Sequence, residues 1–206
     1  HRGNHAAYYP ESTNIALKLI YNPETLKILG AQAVGQEGTE KRIDVIATVM
    51  KLGGTIYDLQ DMELSYAPPF SAAKDPVNIL GYIAQNIDQG VYKTVEWDEI
   101  DDIVAGGGTL LDVRTPIEFG AGHVDGAINL ELDTIRENLD KLPSDKNAPL
   151  YVTCQVGLRA YLAIRILAGH GYTNLWNLAG GYNTYKVGNY KLAPLNFEVK
   201  AETPGE

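Results

Sequence analysis

The chain has 206 residues, 45% of them hydrophobic, which is enough for one large or two small domains with real cores. Lys+Arg number 17 against Asp+Glu 26, with no basic run, so nucleic acid and anionic membranes are poor partners. No apolar stretch reaches spanning length, no leader is visible, and a single cysteine rules out an internal disulfide, which points to a reducing, cytoplasmic compartment.

The chain opens His1-Arg2-Gly3-Asn4-His5 and reads as the C-terminal part of something longer. Residues 1 to 13 carry no strong period. Ile15 to Tyr21 alternates, Asn22-Pro23-Glu24-Thr25 is a turn, and Leu26 to Val34 reads as a second strand ending at Gly35, which predicts an antiparallel hairpin. Thr39 to Met50 reads as a helix with Ile43, Ile46, Ala47 and Met50 on its apolar face, stopped by Gly53-Gly54. Thr55 to Leu59 reads as a short extended or turn piece. Pro68-Pro69 excludes a helix just before them. Asp75-Pro76 starts a helix that ends between Ile87 and Gly90, with Asp75 as its cap. Residues 1–90 thus form a small α+β unit whose modest core needs covering by a partner or by further chain.

From Val91 the pattern changes. A helix follows Glu96-Trp97 and ends at Gly106-Gly107-Gly108. Strands are predicted at Thr109–Val113, Ala127–Leu130, Pro149–Thr153 and Asn174–Leu178. Helices are predicted at Pro116–Phe119, Leu132–Leu139, Leu158–His170 and from Gly180-Gly181 through Lys186. Strands alternating with helices indicate an α/β domain with a mainly parallel sheet over residues 91–190. Residues 191–206 read as a polar tail.

The most informative stretch is Leu150 to Arg159. It is a strand, then the lone cysteine Cys154, a tight loop, and a helix whose apolar pattern is Leu158, Leu162, Ala163 and Ile166. That layout aims backbone N–H groups and a helix N-terminus at the sulfur, surroundings that favour a thiolate. Arg159 adds a fixed positive charge at the far end of the loop. The alternative is a cysteine that merely fills the core.

Four motifs in the second half resemble the rhodanese-like sulfurtransferase family. They are Leu111-Asp112-Val113-Arg114; Glu118-Phe119 with Gly122-His123-Val124-Asp125-Gly126-Ala127-Ile128-Asn129; Cys154 to Arg159; and Leu178-Ala179-Gly180-Gly181. Tyr185 stands where many members have Trp. The resemblance implies that Cys154 carries sulfane sulfur as a persulfide, cradled by the loop residues Gln155, Val156, Gly157, Leu158 and Arg159. Arg159 either anchors the loop by pairing with a carboxylate or helps hold an anionic donor. Asp112, Arg114 and His123 are expected to be supporting scaffold, with Asp112 pairing an arginine or capping a turn. Four residues separate Cys154 from Arg159. Fold-related cysteine phosphatases have one more, which places phosphatase chemistry well below sulfur transfer.

The first half resembles the dimerisation domain of pyridine nucleotide-disulfide oxidoreductases, and within them the coenzyme A-disulfide reductase branch. The resemblance rests on His5-Ala6-Ala7-Tyr8-Tyr9-Pro10, Ile28 to Gly35, Lys41-Arg42-Ile43-Asp44, Tyr66 to Ser71 and Lys74 to Asn78. It implies a homodimer formed through residues 1–90, flavin domains lying N-terminal to this chain, and FAD, NAD(P)H and coenzyme A acting in the parent enzyme. It also implies redox-site tyrosines, for which Tyr8 and Tyr66 are the candidates, with Tyr9 possible in place of Tyr8 and packing against the neighbouring prolines as the plain alternative. No Gly-x-Gly-x-x-Gly follows a strand, so the chain alone is expected to bind neither dinucleotide, and no metal site is expected. Coenzyme A persulfide, polysulfide and thiosulfate are the candidate sulfur donors. A non-catalytic dimerising and sulfur-sensing module is the competing expectation.

Overall fold

Two sheets organise residues 1–190, which the computed structural model describes. The polar tail read at residues 191–206 lies outside the described residues. Strands β1 (Arg2–Gly3), β2 (Asn14–Tyr21) and β3 (Ile28–Gly35) form an antiparallel sheet in that order. The β2–β3 hairpin is the predicted one. Its turn is held by Asn22, whose side-chain oxygen accepts the Glu24 and Thr25 amides, each at 2.8 Å. β1 was not expected: two residues carry no alternation, and only the pairing of Arg2 with Ile15 and of Gly3 with Asn14 makes them a strand.

Helix α1 (Thr39–Lys51) packs against β3, but on a different face from the one predicted. Arg42, Ile46 and Val49 are buried, while Ala47 and Met50 face solvent. An apolar pattern cannot see this, because the side chain that rotates the helix is a guanidinium. Arg42 goes inside because Asp75 meets it there, at 2.8 Å. The piece expected to be extended or a turn at Thr55–Leu59 is instead the start of helix α2 (Ile56–Asp61). Thr55 donates its amide and its hydroxyl to the Asp58 carboxylate at 2.6 and 2.9 Å, a capping box that buries Ile56 and Leu59 one turn apart. Helix α3 (Pro76–Asp88) begins where predicted, with the Val77 amide donating to Asp75 at 3.0 Å.

The second half contains β4 (Lys93–Val95), α4 (Ile100–Ala105), β5 (Thr109–Asp112), α5 (Pro116–Gly120) and β6 (Ile128–Asn129). It continues with β7 (Leu150–Thr153), α6 (Leu158–Gly169), β8 (Leu175–Leu178) and α7 (Gly181–Gly188). The sheet order is β4-β8-β7-β5-β6, and every pairing is parallel. The edge strand β4 was missed, since three residues show too little pattern. The helix predicted at Leu132–Leu139 is instead two 3-10 turns, Leu132–Glu137 and Leu139–Lys141.

Both faces of this sheet are covered. Leu111, Val113 and Val152 pack beneath α6, whose buried residues are Ala160, Ala163, Ile164 and Leu167. Of the face read from sequence, Leu158 and Leu162 point outward instead, 52% and 43% exposed. Leu110, Val124 and Leu178 pack on the other side with Tyr182 and Tyr185 of α7. Ile87 of α3, Val91 and Tyr92 join the α6-side core, where the Tyr92 and Tyr161 rings meet edge-on at 6.0 Å. The register Asp112–Thr153 aligns the carboxyl ends of β5 and β7. Asp112, Cys154 and the turn after β8 therefore gather at one edge, where open α/β sheets place their ligands.

Candidate active site

Cys154 follows the last residue of β7, and α6 starts four residues later. Gly157 makes the tight return with φ 104°, a backbone shape that side chains oppose. Its amide donates to the Cys154 Sγ at 3.1 Å. The sulfur is buried, with Cys154 only 1% exposed. Helix α7 braces the loop from behind. The Tyr182 amide donates to the Cys154 carbonyl at 2.8 Å, and the Asn183 amide to the Gln155 carbonyl at 3.1 Å. Two leading amides of α7 thus find acceptors that the helix itself cannot supply, and two loop carbonyls are held away from the sulfur. This close docking explains the Gly180-Gly181 pair. A Cβ on Gly181 would lie 2.5 Å from the Cys154 carbonyl oxygen and 2.8 Å from the Val156 nitrogen.

Two ion pairs frame the loop. Arg114 and Asp112 are both buried, with Nη2 and Oδ2 2.7 Å apart and Nε 3.0 Å from each carboxylate oxygen. Asp112 also accepts the Arg114 amide at 3.0 Å, so it pairs an arginine and caps a turn together. Arg114 then donates to the Gly122 carbonyl at 2.8 Å and to the Gln155 side-chain oxygen at 3.3 Å. Its guanidinium lies 4.2 Å from the Tyr182 ring centroid. The Gln155 amide in turn donates to the Asn183 side chain. The first loop residue is therefore clamped between β5 and α7.

The second pair is Arg159 with Glu118. Arg159 donates through both Nη atoms to the two carboxylate oxygens, at 2.7 and 2.6 Å. The guanidinium, aided by the Thr115 amide and hydroxyl, holds the Glu118 carboxyl down to about 2. The Arg159 guanidinium is itself raised, first by those hydrogen bonds. Glu118 was not singled out from sequence as a site residue. Its signal was a further capping box, Thr115-Pro-x-Glu118, in front of α5. His123 lies outside, its Nδ1 2.9 Å from the Phe119 carbonyl and its ring stacked on Phe119 at 3.8 Å. Val156 is half-buried within the loop, and Leu158 opens α6 from its solvent side. Among the described residues no group of three His, Cys, Asp or Glu side chains is arranged to hold a metal.

A second cluster lies in the first half. The Tyr8 and Tyr66 hydroxyls, 58 positions apart in sequence, meet at 2.9 Å. Both rings are exposed, 76% and 48%. The hydrogen bond between the two hydroxyls pushes the Tyr66 phenol above its ordinary value. Tyr9 is not the partner: its ring meets His5 edge-on at 5.8 Å. The buried Arg42 holds the two supporting segments together. It donates to the Asn4 carbonyl at 2.6 Å and to Asp75 at 2.8 Å, while the Ser71 hydroxyl donates to Asp75 at 2.6 Å. The Ala6 amide then reaches the Ser71 carbonyl at 2.9 Å. Burial pushes the Asp75 carboxyl up, but the Arg42, Ser71 and Val77 donors together hold it below its usual value.

Residues 96–187 match the rhodanese-like domain family, and residues 2–76 match the pyridine nucleotide-disulphide oxidoreductase dimerisation domain. The chain joins that dimerisation domain to a rhodanese-like domain. Among characterised relatives, coenzyme A disulfide reductase of Staphylococcus epidermidis is 42% identical over 84 residues, which are 41% of this chain and 19% of the relative. The crystal structure of reduced Bacillus anthracis CoADR-RHD is 49% identical with TM-score 0.86, over 89% of this chain and 32% of that one. A NAD-dependent persulfide reductase from A. fulgidus is 34% identical with TM-score 0.79, over the same shares of 89% and 32%. The chain thus spans about a fifth of that curated relative and about a third of those solved structures. No helix among the described residues is long and apolar enough to cross a membrane.

Proposed function

We propose that the rhodanese-like domain transfers sulfane sulfur through a persulfide on Cys154, within a coenzyme A-disulfide, persulfide or polysulfide reductase. The observation that carries this reading is the six-residue loop itself, with the Gly157 amide aimed at Sγ at the head of α6. In the step, the Cys154 thiolate attacks the terminal sulfur of a persulfide donor. One S–S bond forms on Cys154 as the donor's S–S bond breaks, and the donor leaves as its thiolate. The sulfane sulfur changes carrier without any outside oxidant or reductant. The loop amides stabilise the anionic sulfur, and Arg114, Glu118 and Asn183 keep them in place. In this reading Arg159 anchors the loop through Glu118, and His123 is scaffold.

Residues 1–90 are proposed as the dimerising domain and 91–190 as the sulfur-carrying one. A partner face is supported by the apolar side chains that the small sheet and its flanks leave outward, Ile20, Leu29, Val34 and Phe70. In the assembled enzyme Tyr8 and Tyr66 would present phenol hydroxyls to a thiolate or disulfide. The turns at the carboxyl edge of the parallel sheet do not fit FAD or NAD(P)H. None of the turns after β5, β7 and β8 is the Gly-x-Gly-x-x-Gly that a pyrophosphate needs, and the close approach to Gly181 is taken by the Cys154 carbonyl. No step is therefore routed through either group.

The burial of Cys154 favours a second reading, in which the loop senses sulfur species without turnover. Intact mass separates the two. The reduced chain is incubated with coenzyme A persulfide, polysulfide or thiosulfate, with Cys154→Ser as control. A gain of one sulfur, removed by cyanide and absent from the variant, supports transfer. A mass unchanged by every donor refutes it.

A further inference from the structure

Two guanidiniums frame the Cys154 loop, and each is already matched by a carboxylate. Arg159 is the one charged side chain among Gln155, Val156, Gly157, Leu158 and Arg159. Glu118 takes both of its Nη atoms, at 2.7 and 2.6 Å. Arg114, which reaches the loop at Gln155, is matched in the same way by Asp112. Among the described residues each guanidinium has that one carboxylate partner, so the charges cancel one for one. The contact left to the sulfur is the neutral Gly157 amide, 3.1 Å from Sγ. Arg159 still feels the sulfur. Its guanidinium is raised first by the Glu118 hydrogen bonds, and the charge of Cys154 adds to that rise. Without Glu118 the Arg159 charge would face the loop uncompensated.

Sulfur donors differ in what they leave at that point. In an organic persulfide the sulfane sulfur is bonded to a thiol sulfur on alkyl carbon, and attack by the Cys154 thiolate expels a thiolate with one charge. In thiosulfate the sulfane sulfur is bonded to a sulfonate. The same attack forms an S–S bond on Cys154, breaks the donor's S–S bond and expels sulfite, which carries the electron pair away as a dianion. That leaving group needs a cation whose charge is not already spent. We propose that Glu118 is a specificity residue: by cancelling Arg159 it sets the loop against donors whose charge lies on the group bonded to the sulfane sulfur, thiosulfate among them. The proposal rests on the persulfide reading of Cys154 and removes thiosulfate from its donors.

The test uses Glu118→Gln on the whole chain. Glutamine keeps the side chain's size and can close the same capping box, so α5 retains its start. Two rate ratios at Cys154 are followed by intact mass: thiosulfate against 2-hydroxyethyl persulfide for sulfur uptake, and iodoacetate against iodoacetamide for alkylation. The alkylating pair differs by one charge at nearly equal size. A merely structural loss slows both members of a pair and leaves the ratio alone. Glu118→Gln is expected to raise both ratios about tenfold over wild type at low salt, with the gain shrinking at high ionic strength. Adding Arg159→Gln should return both ratios to near the wild-type values, because the freed cation is then gone. Ratios unchanged by Glu118→Gln, or a rise that persists in the double variant, would overturn the proposal. Wild-type uptake from thiosulfate as fast as from the persulfide would overturn it too. Uptake from neither donor sinks the persulfide reading, and the alkylation ratio then still decides whether Glu118 cancels the charge at the sulfur.

Discussion

Replacing Gly181 with alanine tests how the loop is held. Two separable costs are expected. Gly181 sits at φ 62°, where a side chain costs roughly 1–2 kcal/mol. Its new Cβ would also fall 2.5, 2.8 and 2.9 Å from Cys154 O, Val156 N and Gln155 C, all backbone atoms of the loop. Such overpacking adds about 1–3 kcal/mol. Relief requires α7 to withdraw, which stretches the Tyr182 and Asn183 amide bonds to the loop, now 2.8 and 3.1 Å. Gly107→Ala is the matched control, because Gly107 has φ 91° and nothing within 4 Å of a Cβ. It should lose only the backbone cost. A melt of both variants should place Gly181→Ala several degrees below Gly107→Ala, at about 4–8 °C per kcal/mol for a domain of this size. Sulfur uptake or alkylation by Cys154 should change only in Gly181→Ala. Equal melting temperatures for the two variants, with wild-type Cys154 reactivity in both, would refute the bracing role of α7.

Arg114→Ala leaves Asp112 buried without its partner, and a loss of roughly 3–5 kcal/mol is expected in denaturant melts. A loss below about 1 kcal/mol would show that the pair is not holding the sheet edge. The Glu118 carboxyl, held to about 2 in the fold and near 4.3 when unfolded, adds stability fully present above the unfolded value. That increment disappears as pH falls toward 2, and solvent screening of this part-exposed pair limits it to about 1 kcal/mol or less. The stability gap between wild type and Glu118→Gln should therefore narrow from pH 5 down to 2.5, and a constant gap would contradict the assignment. Tyr8→Phe removes the hydrogen bond that raises the Tyr66 phenol, so Tyr66 should ionise at lower pH in ring-labelled NMR titrations. An unchanged titration would mean that the two hydroxyls do not meet in solution. Burial and the Asp101 carboxylate push the Tyr185 phenol up to about 12, so stability tied to it is present below about 10 and lost as pH rises through 12. Tyr185→Phe should flatten the alkaline limb of the melt.

The sequence by itself determined most elements, because their signals are local. Asn22-Pro23 makes its own turn, Asp75-Pro76 caps its own helix, and a run such as Thr109-Leu110-Leu111 is buried in any arrangement of a parallel sheet. It also determined the Cys154 loop, since strand, cysteine, glycine and helix are neighbours along the chain. Tertiary structure decided what depends on distant partners. The α1 face turns on Arg42, which no apolar pattern places inside until Asp75 arrives from 33 positions away. β1 and β4 are strands only because β2 and β8 offer them hydrogen bonds. Arg159 meets Glu118, Gln155 meets Arg114 and Asn183, and Tyr8 meets Tyr66 across separations that spacing rules do not span. The outward turn of Leu158 and Leu162 has the same origin. Two faces of α6 are apolar, and the small residues Ala160 and Ala163 win the core side because they let the helix approach the sheet closely, which leaves the leucines to solvent.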